Sequence, residues 1–142
     1  MSKIQVVYWT QSGNTQAMAE AVGRGIEAAG KEAEVVDVST ADMDALKASS
    51  VFAMGCPAMG AEVLEEGEME PFVEEVEGFA AGKKIALFGS YGWGDGQWML
   101  DWADRVRAAG AQLCADPVTV NEAPQDSELD ECRALGRALA AQ

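Results

Sequence analysis

Between Thr10 and Thr15 the chain reads Thr-Gln-Ser-Gly-Asn-Thr, so hydroxyls, a carboxamide and a glycine crowd into one short stretch. Such a set donates hydrogen bonds and carries no charge. An apolar run, Lys3 to Trp9, precedes it, and Met18, Val22, Ile26 and Ala29 follow at helical spacing. A strand therefore hands over to a helix through a tight polar turn. The first N–H groups of a helix lack intrahelical partners, and the helix dipole is positive there. An anion, most simply a phosphate, suits the place. No basic residue lies between Lys3 and Arg24. The Gly-Lys-Ser/Thr of a nucleoside-triphosphate loop is missing, which argues against NTP hydrolysis. The plain alternative is an ordinary helix cap in which Ser12 or Asn14 satisfies the helix N–H groups.

Two further stretches combine small residues with one large side chain each. Gly55-Cys56-Pro57-Ala58-Met59-Gly60-Ala61-Glu62 carries Met59, and Gly89-Ser90-Tyr91-Gly92-Trp93-Gly94-Asp95-Gly96 carries Trp93. A thioether and an indole can sandwich a flat ring. The glycines let the backbone approach the ring edge, and Glu62 can accept a hydrogen bond from a ring N–H. Read without function, each stretch is a turn, and Met59 is packing. Trp98 and Trp102, at helical spacing, read as core or as the edge of a site. Trp9 either lines the site or packs beneath the 10–15 turn.

The elements that position these loops follow from periodicity. Strands are expected at Lys3–Trp9, Ala33–Val38, Val51–Cys56, Lys84–Gly89 and Gln112–Val120, the last interrupted near Asp116-Pro117. Helices are expected at Thr15–Ala29 (stopped by Gly30), Asp42–Lys47, Met69–Phe79, along the stripe Met99, Trp102, Val106, Ala109, and at Ser127–Ala141. The short Asp42–Lys47 helix has Ser39, Thr40 and Asp42 as candidate caps. In the last helix Leu129, Cys132, Gly136 and Leu139 face inward. Alternating strands and helices predict an α/β fold with a doubly wound five-stranded parallel sheet, helices on both faces and strand order 2-1-3-4-5, in one domain spanning 1–142. Ligands of such sheets bind beyond the carboxyl ends of the strands, where the winding reverses. The loops leaving strands one, three and four meet there.

Composition narrows the chemistry. The formal charge is −14, from 24 acids against 10 bases, so nucleic acid and anionic membrane are poor partners and a basic protein surface is a good one. Residues 62 to 77 include Glu62, Glu65, Glu66, Glu68, Glu70, Glu74, Glu75 and Glu77, with no base between Lys47 and Lys83. Histidine is absent and Cys56, Cys114 and Cys132 are widely spaced, which excludes Ser/His/Asp and Cys/His nucleophiles, zinc clusters and iron–sulfur ligation. The cysteines read as buried reduced thiols of a cytoplasmic protein. No run reaches the roughly 18 apolar residues of a membrane span. The N-terminus runs straight into a strand pattern, without signal-peptide architecture.

Tyr-Trp-Thr-Gln-Ser-Gly-Asn-Thr at 8–15, Gly-Cys-Pro-Ala-Met-Gly at 55–60, Glu-Pro-Phe at 70–72, Leu-Phe-Gly-Ser-Tyr-Gly-Trp-Gly at 87–94 and Val-Asn-Glu-Ala-Pro at 120–124 occur in one order. Together they resemble the short-chain flavodoxins over nearly the whole chain, without the long insertion in the last strand that marks long-chain members. The resemblance implies flavin mononucleotide (FMN) as cofactor. Thr10, Gln11, Ser12, Gly13, Asn14 and Thr15 would bind its phosphate. Met59 and Trp93 would flank the isoalloxazine ring, with Ala58, Gly60, Ser90 and Tyr91 in the adjoining loops. Glu62 would bond ring N3, and Gly92 to Gly94 would approach N1 and O2. The Met59–Gly60 peptide would turn over on reduction. Pro57 stands where many relatives have a serine or threonine, and Ala61 replaces a common aspartate.

The resemblance further implies a low-potential one-electron carrier, not an enzyme. It would cycle mainly between neutral semiquinone and hydroquinone in place of ferredoxin. It would work as a monomer and dock on redox enzymes by the acidic face near the flavin edge. The acidic surface works in the same direction, because it disfavours further negative charge on the ring. Two other classes share the architecture. An FMN-dependent quinone or nitro-compound reductase needs extra loops for a second substrate. A phospho-receiver domain needs acids after strand one and an aspartate ending strand three, where this chain has Trp9-Thr10 and Gly55-Cys56.

Overall fold

The computed structural model describes residues 3–60, 63–92 and 94–142. Its strands are β1 (Ile4–Tyr8), β2 (Ala33–Asp37), β3 (Val51–Gly55), β4 (Lys84–Tyr91), β5 (Gln112–Leu113) and β6 (Val118–Asn121). Its helices are α1 (Asn14–Ala28), α2 (Met43–Ala48), α3 (Met69–Glu77), α4 (Gln97–Ala108) and α5 (Asp126–Ala140). A 3₁₀ turn, Val38–Thr40, follows β2.

Each pairing among these six strands is parallel, in the order β2-β1-β3-β4-β5 with β6 also on β4, and the order is the one the alternation predicted. The expected fifth strand is split. Gln112 pairs with Lys84 at the start of β4, and Val118 to Asn121 pair with Phe88 to Tyr91 at its end. The gap contains Pro117, which has no N–H to give a ladder.

Successive side chains on β1 point to opposite faces, and both faces are covered. Ile4 and Val6, with Ala53, Ala86 and Phe88, pack under Met18, Val22 and Ile26 of α1 and Leu135 and Leu139 of α5. Val7, with Phe52, Met54, Ile85 and Leu87, packs under Val73 and Val76 of α3 and Trp98, Trp102 and Val106 of α4. Both Trp98 and Trp102 are core residues. Trp9 is half-buried against the same α3/α4 side.

Local signals fix several element ends. Gly30 follows α1 at φ +88°. Asp42 is the cap of α2, accepting the Ala45 N–H at 3.1 Å, while Asp37 accepts the Ser39 N–H at 2.9 Å in the 3₁₀ turn. At α5 the Glu128 carboxylate accepts the Gln125 N–H at 2.7 Å. Cys56 and Cys132 are buried, Cys114 is half-buried, and all three are free thiols. Burial pushes the Cys56 and Cys132 thiols up to about 12 and also raises Cys114, so none is a thiolate at neutral pH.

Candidate functional site

The 10–15 turn leaves β1 and opens α1. Gly13 stands at the helix N-cap with φ +94°, and its N–H donates to Thr10 Oγ1 at 3.0 Å. No side chain caps the helix. Neither Ser12 nor Asn14 spends itself on the helix N–H groups, so the plain capping alternative does not describe this turn. Thr15 is buried, with its hydroxyl 3.1 Å from the Ser90 hydroxyl of β4. That contact ties the turn to β4, which β3 separates from β1 in the sheet. Ser12 and Gln11 are exposed, and Asn14 is half-buried.

These residues form one wall of an open cleft of about 310 Å³, at the low end of volumes usual for small-molecule sites. Gln11, Ser12 and Asn14 enter it from the β1 loop, Pro57, Ala58 and Met59 from the β3 loop, and Ser90, Tyr91 and Gly92 from β4 and its loop. It lies beyond the carboxyl ends of the strands, between β1 and β3, where the winding reverses. Eight of the predicted positions therefore line one cleft. Thr10, Gly13 and Thr15 shape its first wall from behind. Gly60 and Gly94 follow in the loops, at φ +51° and +82°. Glu62 and Trp93 lie outside the described residues.

The β3 loop is held by backbone bonds. Ala58 N–H donates to the Ser90 carbonyl at 3.0 Å. Met59 and Val63 exchange two bonds, Met59 N–H to the Val63 carbonyl at 2.8 Å and Val63 N–H to the Met59 carbonyl at 2.9 Å. Turning the Met59–Gly60 peptide over would break the second of these, a cost the sequence did not reveal.

Sequence reasoning gave no role to Glu122, which lines the cleft from the end of β6. Its N–H donates to the Tyr91 carbonyl at 2.7 Å, and its φ is +62°, a left-handed conformation that costs a non-glycine residue on the order of 1 kcal/mol. Its only signal was membership of the 120–124 motif.

Glu65 shapes the far end of the β3 loop. Its carboxylate accepts the N–H groups of Gly67 and Glu68, both at 2.7 Å, and of Met69 at 3.0 Å, thereby capping α3. Burial alone would raise its pKa, but the three backbone donors outweigh burial and hold it below the usual carboxylate value. A depressed carboxylate stabilises the fold above its unfolded pKa, and that stability is lost as pH falls through the folded value. Glu65→Ala is therefore expected to cost about 1 kcal/mol at pH 7, the usual worth of a helix cap. The gap between the two chains should narrow below the carboxylate range, as read from urea midpoints at pH 7 and in acid.

The acidic run is only partly neutralised. Arg105 of α4 forks onto Glu70 at 2.9 and 2.8 Å and reaches Glu77 at 2.9 Å, joining α4 to α3. These hydrogen bonds hold its pKa above the usual guanidinium value. Glu66, Glu68, Glu74 and Glu75 are exposed.

A parallel sheet with an uncapped, cation-free helix N-terminus facing two glycine-bearing loops defines the class of proteins that hold a flat phosphorylated cofactor at the switch point. Similarity to known proteins narrows the class to one family. The flavodoxin family model matches residues 6–136. The flavodoxin of Clostridium beijerinckii is 44% identical over 96% of this chain and 99% of its own length, and that of Megasphaera elsdenii is 41% identical over 96% and 98%. The solution structure of two-electron reduced Megasphaera elsdenii flavodoxin superposes with a TM-score of 0.90, at 40% identity, covering 98% of this chain and 99% of that one.

The chain belongs to the flavodoxin family. Flavodoxins are electron-transfer proteins that bind FMN and act with redox partners, and FMN is the cofactor here. Neutral donors at an uncapped helix start suit its phosphate, and open space around Gly60 and Gly92, beside Met59 and Tyr91, leaves room for a flat ring. Among the described residues no helix is long and apolar enough to cross a membrane.

Proposed function

We propose that this flavodoxin is a low-potential one-electron carrier, and not an enzyme. It moves mainly between the neutral semiquinone and the hydroquinone of FMN, in place of a ferredoxin. It acts as a cytoplasmic monomer and docks on redox enzymes through the acidic face near the flavin edge.

The observation that carries the reading is the α1 N-terminus, left without a side-chain cap in a cleft walled by Met59 and Tyr91–Gly92. In this reading Thr10, Gln11, Ser12, Gly13, Asn14 and Thr15 hold the phosphate. Met59 and Trp93 flank the ring, with Ala58, Gly60, Ser90 and Tyr91 shaping the loops around it. Glu62 accepts a hydrogen bond from the ring N3–H, and the Gly92–Gly94 backbone faces N1 and O2. The flavin supplies the redox chemistry, while the protein sets its energetics. Exposed Glu66 and Glu68 beyond the β3 loop disfavour added negative charge and present a surface complementary to a basic partner.

Because several donors converge on one phosphate, FMN is expected to bind at least about 100-fold tighter than riboflavin, a difference of about 2.7 kcal/mol. Isothermal titration of the flavin-free chain with each ligand measures this, and equal affinities would refute the cradle. An anaerobic reductive titration followed by absorbance tests the carrier. A blue neutral semiquinone followed by bleaching at a much lower potential is expected. Direct two-electron bleaching would move the reading to a reductase.

A further inference from the structure

Trp98 and Trp102 stand about one turn apart on α4, and both are buried, at 2% and 1% exposure. They differ in what the indole N–H does. Trp98 Nε1 donates to the Cys56 carbonyl at 3.1 Å, whereas Trp102 Nε1 has no partner among the described residues. The Trp98 ring also lies against Tyr91, with centroids 5.5 Å apart and planes tilted by 51°. Its Cζ2 lies 3.1 Å from where a Cβ on Gly89 would sit. One side chain therefore touches both the segment leaving β3 and the end of β4.

Cys56 is where the β3 loop is fastened. Its N–H donates to the Phe88 carbonyl at 3.2 Å, and its sulfur receives the Glu65 N–H at 3.5 Å. Two residues on, the Ala58 N–H reaches Ser90, and the next residue is Met59, on the cleft wall.

We propose that Trp98 is a positioning residue for the FMN cleft. Its N–H bond to Cys56 fixes the distance between the Met59 wall and the Tyr91–Gly92 wall. The inference rests on the FMN reading above and adds a residue that does not line the cleft. The physical reason is the dryness of the contact. A buried carbonyl deprived of its donor carries the full cost of its lost hydration, and a shift of the adjoining segment that carries Ala58 and Met59 toward water relieves it. Trp102 has the same side chain and burial, without the bond, and is the natural comparison.

Trp98→Phe and Trp102→Phe separate the bond from the bulk. In the flavin-free chain, Trp98→Phe is expected to speed amide exchange at Ala58 about tenfold, while exchange in α5 stays unchanged. In the FMN-loaded protein it is expected to raise Kd for FMN about tenfold. Trp102→Phe should leave both within about twofold. Replacing Trp98 with benzothienylalanine, which keeps the bicyclic ring and deletes only the N–H, should reproduce the Trp98→Phe result. It also decides the matter if the Phe variant does not fold. Unchanged Ala58 exchange and Kd in the Trp98 variants, or equal shifts in Trp102→Phe, would overturn the proposal. If the parent chain takes up no FMN, the flavin reading fails by itself, and the exchange comparison still decides whether Trp98 holds the loop.

Discussion

Gly136→Ala is expected to lower the stability of this protein by about 3 kcal/mol, the upper end of usual overpacking costs. For a chain of this size that is a fall in Tm of roughly 10 °C. A Cβ on Gly136 would sit 2.0 Å from the Val22 carbonyl oxygen and 3.0 Å from the Ile26 nitrogen. The contact is reciprocal, because a Cβ on Gly25 would sit 1.9 Å from the Arg133 carbonyl oxygen. Backbone meets backbone at this crossing of α1 and α5, so no side chain can rotate away and the helices must part. Helix propensity alone would favour alanine by about 1 kcal/mol, and the collision outweighs it. Gly25→Ala and Gly136→Ala strain the same crossing, so the double variant should lose less than the sum of the two. Differential scanning calorimetry reads all three. An unchanged or raised Tm in Gly136→Ala would show that the helices do not approach this closely.

Gly89→Ala is expected to damage the cleft as well as the fold. Its Cβ would lie 2.2 Å from the Cys56 carbonyl oxygen and 3.1 Å from Trp98 Cζ2. The neighbour that must yield is the backbone leading to Met59. A loss of about 2 to 3 kcal/mol is expected from overpacking. FMN affinity should fall more than tenfold, which is more than 1.4 kcal/mol of binding. Gly136→Ala, at the crossing of α1 and α5, should leave FMN affinity within a few-fold. Paired melting curves and flavin titrations of the two variants distinguish them. Parental FMN affinity in a folded Gly89→Ala protein would break the link between this crossing and the cleft.

Much of the architecture was legible because periodicity and turn chemistry agree along the chain. The continuous apolar run of β1, the helical spacing of Met18, Val22 and Ile26, and Gly30 as a stop predict elements that the structure contains. Pro117 announced the break between β5 and β6. The strand order followed from alternation and from the handedness of crossovers. The convergence of the three loops was legible for the same reason, since parallel strands bring all their carboxyl ends to one side of the sheet.

Other features depend on atoms brought together from distant parts of the chain. A sequence shows that Gly25 and Gly136 are glycines, but only the helix crossing shows that each faces a carbonyl. Likewise, Ser12 and Asn14 are good capping residues by type, and only the left-handed Gly13 and its bond to Thr10 show that they do not cap. Glu122 reaches the cleft because β6 pairs with the end of β4, a register that composition does not encode. Trp98 and Trp102 are equivalent by burial and spacing, and only the fold shows that the indole N–H of Trp98 meets the Cys56 carbonyl while that of Trp102 meets no partner among the described residues. Local periodicity and residue type were enough to place most elements, the strand order and the three loops that meet at the cleft. Which donors are spent on the fold and which stay open in the cleft came only from the folded chain, because a hydrogen bond depends on where its partner lies in space.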